Sequence, residues 1–192
     1  MIKIKSVEVL VYRYPLKTIV QTSFGTMHDR PMVLVKLIDE DDYVGVGEVW
    51  CNFPAVGAEH RARLIDSVFT PLITMEPFDS PASAFELLTR KTWVLGLQTG
   101  EFGPIAQCIA GIDIAFHDLM ARRDETPLWK YLGGVSDSVE TYASGINPTD
   151  AEKTAEAALK SGYRALKLKI GFNPAHDIQN IKSLRTLLGE NG

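Results

Sequence analysis

The sequence predicts an α+β domain, a three-stranded antiparallel meander plus helices, followed by the start of a (β/α) barrel of the TIM type. Three observations predict this architecture. The first fifty residues carry short alternating or β-rich runs, and apolar residues then recur at helical spacing. From Val135 onward, strand-like and helix-like segments alternate, which is the pattern of consecutive βα units. We place the two domains at residues 1–134 and 135–192.

The meander is predicted to contain three strands. Residues Ile2–Tyr14 alternate between apolar and polar side chains, and β-rich runs follow at Met32–Ile38 and Tyr43–Trp50. The polar segment Asp39–Asp42 is predicted to form a tight turn between the second and third strands. The link Pro15–Pro31 is predicted to be a long loop, and loops of that length in compact domains are usually functional or disordered.

Four helices are predicted to follow the meander. Apolar residues from Ala58 to Phe69 recur at helical spacing, and Pro71 is predicted to end that helix. Ser80 is a good N-cap before a proline in the first turn of the second helix. Pro104 opens the helix with the broadest apolar stripe, and Thr126 begins a short fourth helix.

The last part of the chain is predicted to hold two βα units. Strands are predicted at Val139–Ser144 and Ala165–Ile170, with helices at Asp150–Ser161 and Pro174–Leu188. Two units cannot bury a parallel sheet on both faces, and a complete barrel typically takes about 250 residues. We therefore expect the sequence to end within the barrel domain.

Composition narrows the possible functions. A formal net charge of -4 and a pI of about 5.6 argue against a nucleic-acid partner that needs a broad basic face. No stretch approaches the roughly 18 uncharged apolar residues of a membrane span, and the first residues lack the apolar region of a secretory signal. The two separated cysteines, Cys51 and Cys108, make neither a metal pair nor a disulfide framework, which favours a cytoplasmic location.

Two motifs in order resemble those of a known family. The segments Gly111–Arg122 and Thr126–Gly134 resemble the domain-junction signature of the mandelate racemase/muconate lactonizing enzyme family, within the enolase superfamily. The strand Ala165–Phe172 resembles that family's Lys-x-Lys strand. Tyr142-Ala-Ser144 is similar to the Tyr-x-Ser of the mandelate racemase branch. The sequence departs from the signature at three packing positions: Cys108, Phe116 and Tyr131.

The resemblance implies an α+β capping domain over a barrel, and an enzyme that removes the proton next to a carboxylate. The resulting enediolate leads to racemisation, epimerisation or dehydration, and cycloisomerisation of the muconate-lactonizing type is an alternative. The resemblance also implies Mg²⁺ as cofactor, a hydroxy acid or acid sugar as substrate, and homo-oligomeric assembly. The metal ligands are expected beyond Gly192. A non-catalytic binding or scaffolding module with the capping fold remains an alternative from another class.

Lys167 and Lys169 are the candidate catalytic residues. Because strand side chains alternate, the two lysines face away from the apolar set Leu166, Leu168 and Ile170. In a barrel they would point into the interior, where a neighbouring cation disfavours the ammonium form and suits a lysine to act as a base. From the pattern alone, a solvated lysine face remains open. The resemblance implies that Lys169 is the general base and Lys167 its electrostatic partner.

Three residues are candidates for substrate binding. Ser144 ends the first predicted barrel strand, where its hydroxyl could bind a carboxylate or satisfy a loop amide. Phe24 and Phe53 lie in the two meander loops that, by the resemblance, fold over the barrel mouth. Aromatic rings suit an apolar lid, although local packing of the loops is an alternative for each ring.

Four other polar residues are interpreted as structural. Asp113, His117 and Asp118 lie on the helix of the junction signature, and we assign them to helix and domain-junction architecture rather than to a metal site. Glu48 follows the glycines of Gly45-Val-Gly47. These glycines are predicted to relax the strand end, and the acid to hold loop amides.

Overall fold

The computed structural model describes residues 1–22, 25–54 and 56–189. The chain forms two compact units. The first unit comprises residues 1–17 and 28–135, and the second comprises residues 18–27 and 136–192. Within the described ranges, no helix combines the length and the apolar character that crossing a membrane requires.

The three predicted strands of the meander are present. Strands β1 (Ile4–Thr22), β2 (Gly25–Asp39) and β3 (Val44–Val49) form one sheet in the order β1-β2-β3. Strands β2 and β3 pair antiparallel, from Val33 opposite Val49 to Ile38 opposite Val44. The predicted three-stranded meander is therefore confirmed.

The predicted turn between β2 and β3 is present, and it is built around Asp39. The Asp39 carboxylate is buried and accepts the N–H groups of Asp41, at 3.0 Å, and Tyr43, at 2.8 Å. The backbone of Asp42 is left-handed, with φ 63°, a conformation that aspartate tolerates better than most residues. The side chain of Asp39 thus supplies the acceptor that closes the turn.

The predicted long loop Pro15–Pro31 is wrong, because β1 runs on to Thr22 and β2 already begins at Gly25. Pro15 lies on an edge strand, and Pro31 precedes the part of β2 that pairs with β3. The missing N–H of Pro31 therefore interrupts no hydrogen bond of the β2–β3 ladder.

The helices of the first unit follow the sheet. They are α1 (Gly57–Leu64), a π-helical segment (Ile65–Phe69), α2 (Thr70–Met75), α3 (Pro81–Thr99), α4 (Phe102–Arg123) and α5 (Leu128–Tyr131). The prediction that Pro71 ends the first helix is wrong. The Thr70 N–H donates to the Ile65 carbonyl, five residues back, and this widened turn places Pro71 in the first turn of α2. There the missing N–H of proline needs no helical partner.

Helix α4 packs closely on strand β3. A Cβ atom at Gly47 would lie 1.9 Å from the Gly111 carbonyl oxygen, and one at Gly45 would lie 2.1 Å from the Ala115 carbonyl oxygen. Because Gly45 and Gly47 have no side chain, the backbone of α4 can lie directly against β3. The prediction that these glycines relax the strand end is wrong. Asp118 of α4 reinforces this contact, because its Oδ2 accepts the Val46 N–H at 2.8 Å.

The second unit contains two βα units. Strands β4 (Ala143–Ile146) and β5 (Leu166–Leu168) pair in parallel, and helices α6 (Ala151–Lys160) and α7 (Pro174–Leu188) follow them in turn. The predicted βα pattern is confirmed. The first strand lies later than the predicted Val139–Ser144, because its pairing starts where the Ala143 N–H meets the Ala165 carbonyl. Among the described residues, the apolar cluster of the two βα units contains the buried side chains of Ile146, Ala151, Ala155 and Leu184, with Leu166, Leu168 and Leu187 packed against them.

Candidate active site in the second unit

The two candidate lysines lie at the end of β5. Leu166 and Leu168 pack against the apolar core, while Lys167 between them is exposed, which agrees with the predicted alternation. Lys169 is half-buried, and its backbone N–H donates to the Ile146 carbonyl at 2.9 Å. The alternation fails at Ile170, which was predicted to join the apolar set but is 57% exposed. It fails because β5 ends at Leu168 and the chain turns soon afterwards, at Gly171 with φ 99°.

The side chain of Lys169 is held by Asn147. The Lys169 Nζ donates to the Asn147 Oδ1 at 3.2 Å. Among the described residues, Lys169 forms no ion pair, so the asparagine supplies its side-chain hydrogen bond there. Asn147 was not predicted. It directly follows β4, at the carboxyl end of a parallel strand that was predicted to belong to a barrel, and that position was the available signal.

Lys167 has a different neighbour. Its Nζ lies 5.8 Å from the centroid of the Tyr142 ring, within the range of a cation–π attraction. Because Tyr142 is 52% exposed, this attraction contributes about 0.5–1 kcal/mol. The two lysines therefore differ in surroundings, since one meets a neutral amide and the other an aromatic ring.

Ser144 lies within β4 instead of at the predicted end of the strand, and its side chain is exposed. Its hydroxyl makes no hydrogen bond to any part of the chain that the structure describes, including the loop amides considered as an alternative. Strands β4 and β5 are neighbours, with Ala143 opposite Leu166 and Ile146 opposite Leu168. Ser144 therefore lies on the strand next to the one that carries Lys167, and its hydroxyl remains available to a ligand.

Helix α7 holds the loops that follow both strands. The Asn180 Nδ2 donates to the Pro148 carbonyl at 2.9 Å, in the loop after β4. The Asp177 Oδ2 accepts the Gly171 N–H at 2.8 Å, in the loop after β5. Asp177 is 7% exposed, and within the described ranges its other carboxylate oxygen has no partner. These two residues are three positions apart on α7, so one helix fixes both loops.

Of the two aromatic candidates, the structure describes Phe53 and not Phe24. Phe53 belongs to the first unit and is half-buried in the segment after β3. Phe24 falls outside the described residues. A lid function for either ring stays a prediction.

The polar residues of α4 make structural contacts. The His117 Nε2 lies 3.7 Å from the Asp113 Oδ1, one helical turn away. Besides the Val46 N–H, the Asp118 Oδ2 accepts the Arg122 Nε–H at 2.8 Å. These contacts favour the architectural interpretation of the three residues. In the described part of the chain, no group of three His, Cys, Asp or Glu side chains is arranged to hold a metal ion.

Comparison with known proteins agrees with this fold. Residues 1–133 match the family model of the mandelate racemase/muconate lactonizing enzyme N-terminal domain. The chain belongs to this family, and the α+β capping domain predicted from the resemblance is confirmed.

Individual relatives support the same assignment. The crystal structure of a mandelate racemase/muconate lactonizing enzyme from Bordetella bronchiseptica RB50 is 51% identical, with a TM-score of 0.90 over 98% of this chain and 49% of that one, and it supports the mandelate racemase branch. A racemase from Streptomyces coelicolor A3(2) with bound magnesium is 26% identical, with a TM-score of 0.84 over 99% of this chain and 53% of that one. An N-succinylamino acid racemase from Thermus thermophilus is 32% identical over 98% of this chain and 49% of its own length.

The other curated relatives carry out several reactions. They include epimerases, a dehydratase, a cycloisomerase and o-succinylbenzoate synthases. The chain spans about half the length of the curated relatives it matches.

Proposed function

We propose that the complete protein removes the proton α to the carboxylate of a small acid, and that the resulting enediolate leads to racemisation, epimerisation or dehydration. The observation that carries this proposal is the position of Lys169 at the carboxyl end of β5, with its amine held at the end of β4. Membership of the family supports it. Cycloisomerisation is a second candidate, because one relative is a cycloisomerase.

Lys169 acts as the general base in this proposal. Its neutral amine forms an N–H bond with the α-proton as the C–H bond breaks, and the electron pair moves into the carboxylate to give the enediolate. Lys167 is two residues earlier, and its positive charge stabilises the negative charge that develops. The free hydroxyl of Ser144 donates a hydrogen bond to the substrate carboxylate.

Mg²⁺ is proposed as cofactor of the complete protein on the family resemblance and on the magnesium in the Streptomyces coelicolor structure. Magnesium favours near-octahedral coordination by oxygen atoms. The described residues do not fit this requirement, since no three His, Cys, Asp or Glu among them are grouped to hold a metal. We therefore derive no step of the reaction through the metal.

The substrate class, the apolar lid, the oligomeric state and the cellular location are also proposals. A hydroxy acid or acid sugar is proposed as substrate, with Phe53 and Phe24 in an apolar lid. Homo-oligomeric assembly is proposed from the resemblance. A cytoplasmic location is proposed because both cysteines are free thiols.

Replacement of Lys169 tests the proposal. The complete protein would be incubated with Mg²⁺ in ²H₂O with mandelate, an N-succinylamino acid and arabinonate as probes, and α-proton exchange followed by NMR. Lys169→Ala should lower the exchange rate at least ~100-fold, because a general base contributes that much or more. Lys160→Ala, which removes an exposed lysine at the far end of α6, should exchange like the wild type. Exchange at the wild-type rate in Lys169→Ala would refute the assignment.

A further inference from the structure

The geometry points to Asn147 as a positioning residue for the Lys169 amine. Asn180 of α7 anchors the neighbouring backbone through its hydrogen bond to the Pro148 carbonyl. This inference rests on the proposed function, since it concerns how the proposed base is aimed. It adds a residue that the Lys-x-Lys strand does not contain. The carrying observation is the 3.2 Å hydrogen bond between the Lys169 Nζ and the Asn147 Oδ1.

Lys169 needs an external support because of its side chain. A lysine amine lies at the end of a flexible four-carbon stem, and ordering such a stem is opposed by the loss of its rotamer freedom. Within the described residues no carboxylate pairs with Lys169. The amide oxygen of Asn147 therefore fixes one N–H direction of the amine and leaves its other positions free for a substrate proton.

The chemistry of the support also matters. A carboxylate at the same place would favour the charged ammonium and oppose the base function. A neutral amide oxygen accepts a hydrogen bond from the amine before proton transfer and from the ammonium after it. An asparagine thus allows both protonation states of Lys169 while keeping the nitrogen in one place.

Asn147 is itself held on both sides along the chain. The carbonyl of Ile146, the preceding residue, accepts the Lys169 N–H at 2.9 Å. The carbonyl of Pro148, the following residue, accepts the Asn180 Nδ2 at 2.9 Å. Asn147 is half-buried between these two anchors. The end of β4, the end of β5 and the middle of α7 therefore form one connected set of hydrogen bonds around the amine.

The experiment compares two variants in the complete protein with a matched control. Asn147→Ala removes the acceptor of the Lys169 hydrogen bond. Asn180→Ala removes the hydrogen bond to the Pro148 carbonyl, which follows Asn147 in the chain. Asn173→Ala is the control, because this asparagine caps α7 through the His176 N–H at 3.1 Å and, among the described residues, forms no hydrogen bond with Lys169. Loss of the cap destabilises the helix but leaves the hydrogen bond of the Lys169 amine in place, so this variant measures the effect of helix destabilisation alone.

The kinetic readout is kcat and KM for α-proton exchange, with the probes named above. We expect kcat to fall about tenfold or more in Asn147→Ala, because small misplacement of a reacting group lowers the rate steeply. The KM should change less than threefold. Asn180→Ala should show a smaller loss in the same direction, and Asn173→Ala should keep the wild-type kcat.

A second readout needs no substrate. In protein labelled with ¹⁵N-lysine, the ammonium signal of Lys169, assigned by its loss in Lys169→Arg, should be visible near pH 6 because a hydrogen bond slows exchange of its protons with water. The signal should broaden or disappear in Asn147→Ala, weaken in Asn180→Ala and persist in Asn173→Ala. If no probe exchanges in the wild type, the proposed function fails, and the NMR signal still decides whether Asn147 holds the amine. An unchanged signal and kcat in Asn147→Ala would overturn the inference.

Discussion

Burial sets the chemistry of the two cysteines at the scale of single residues. Cys51 and Cys108 are free thiols, 3% and 0% exposed. Burial raises the pKa of Cys108 to about 12 and also raises the pKa of Cys51, and the nearby positive charge of Arg61 offsets this only in part. Both thiols therefore stay protonated near neutral pH, and neither is suited to act as a nucleophile or metal ligand.

We predict that Cys108 of the folded protein resists iodoacetamide at pH 8 and reacts once urea unfolds the chain. The pKa of this thiol is about 12 in the folded state and about 9 in a solvated one. The unfolded state therefore loses the proton first, and the stabilisation is lost as the pH rises from about 9 to about 12. Urea midpoints of the wild type should fall over this window more steeply than those of Cys108→Ala. Rapid labelling of Cys108 at pH 8 without urea would contradict the prediction.

The candidate site was predictable only as far as single strands allow. The alternation of leucine and lysine in β5 gave the correct faces for Lys167 and Leu168 because strand periodicity is local. Asn147 escaped prediction because its contact with Lys169 depends on which strand pairs with β5 and in which register. That information is not contained in either strand alone.

At the scale of elements, glycines determine how closely α4 approaches β3. Gly47 faces the Gly111 carbonyl oxygen, and a Cβ at Gly111 would lie 2.4 Å from the Val49 Cγ2. The backbones of helix and strand are thus in direct contact, and Asp118 adds a hydrogen bond to the strand at Val46. This packing buries the apolar stripe of α4 against the sheet.

We predict opposite effects for two glycine-to-alanine changes, one at this contact and one at the start of α4. Gly47→Ala places a methyl group against the backbone of α4, where no side-chain rotation relieves it, and should destabilise the protein by about 3 kcal/mol. Gly103→Ala is the matched control, because nothing lies within 4 Å of the new methyl group and alanine favours helices. It should stabilise by up to about 1 kcal/mol. Urea unfolding of both variants measures the difference, and equal effects would refute the packing argument.

Elements were predicted well where periodicity dominated and poorly where tertiary contacts decided. Helix α7 matches its predicted bounds, and β3 matches within one residue at each end. Pro71 and Pro15 were interpreted as breaks, yet the π-helical turn before Pro71 and the edge position of Pro15 accommodate them. A sequence shows that a proline lacks an N–H but not whether the fold needs one at that position.

At the scale of the whole molecule, the two units differ in how much apolar surface they bury. The core of the first unit joins the sheet to α1–α4 and includes large side chains such as Phe69, Phe116 and Leu37. Among the described residues, the apolar cluster of the two βα units has four buried members, two of them alanines. Its sheet has two parallel strands, and isolated two-stranded pairs are marginally stable. The second unit therefore has the weaker internal support.

We predict that this difference appears as unequal hydrogen exchange in the 192-residue chain. Amides of β4 and β5, including the Ala143 N–H that donates to Ala165, should exchange at least tenfold faster than those of the β2–β3 ladder from Val33 to Ile38. A tenfold difference corresponds to about 1.4 kcal/mol in local opening free energy. Exchange followed by mass spectrometry on this chain and on the complete protein measures the effect. The complete protein should protect β4 and β5 more, because further βα units would bury the parallel sheet. Equal protection of both sheets in the 192-residue chain would show that the small core suffices.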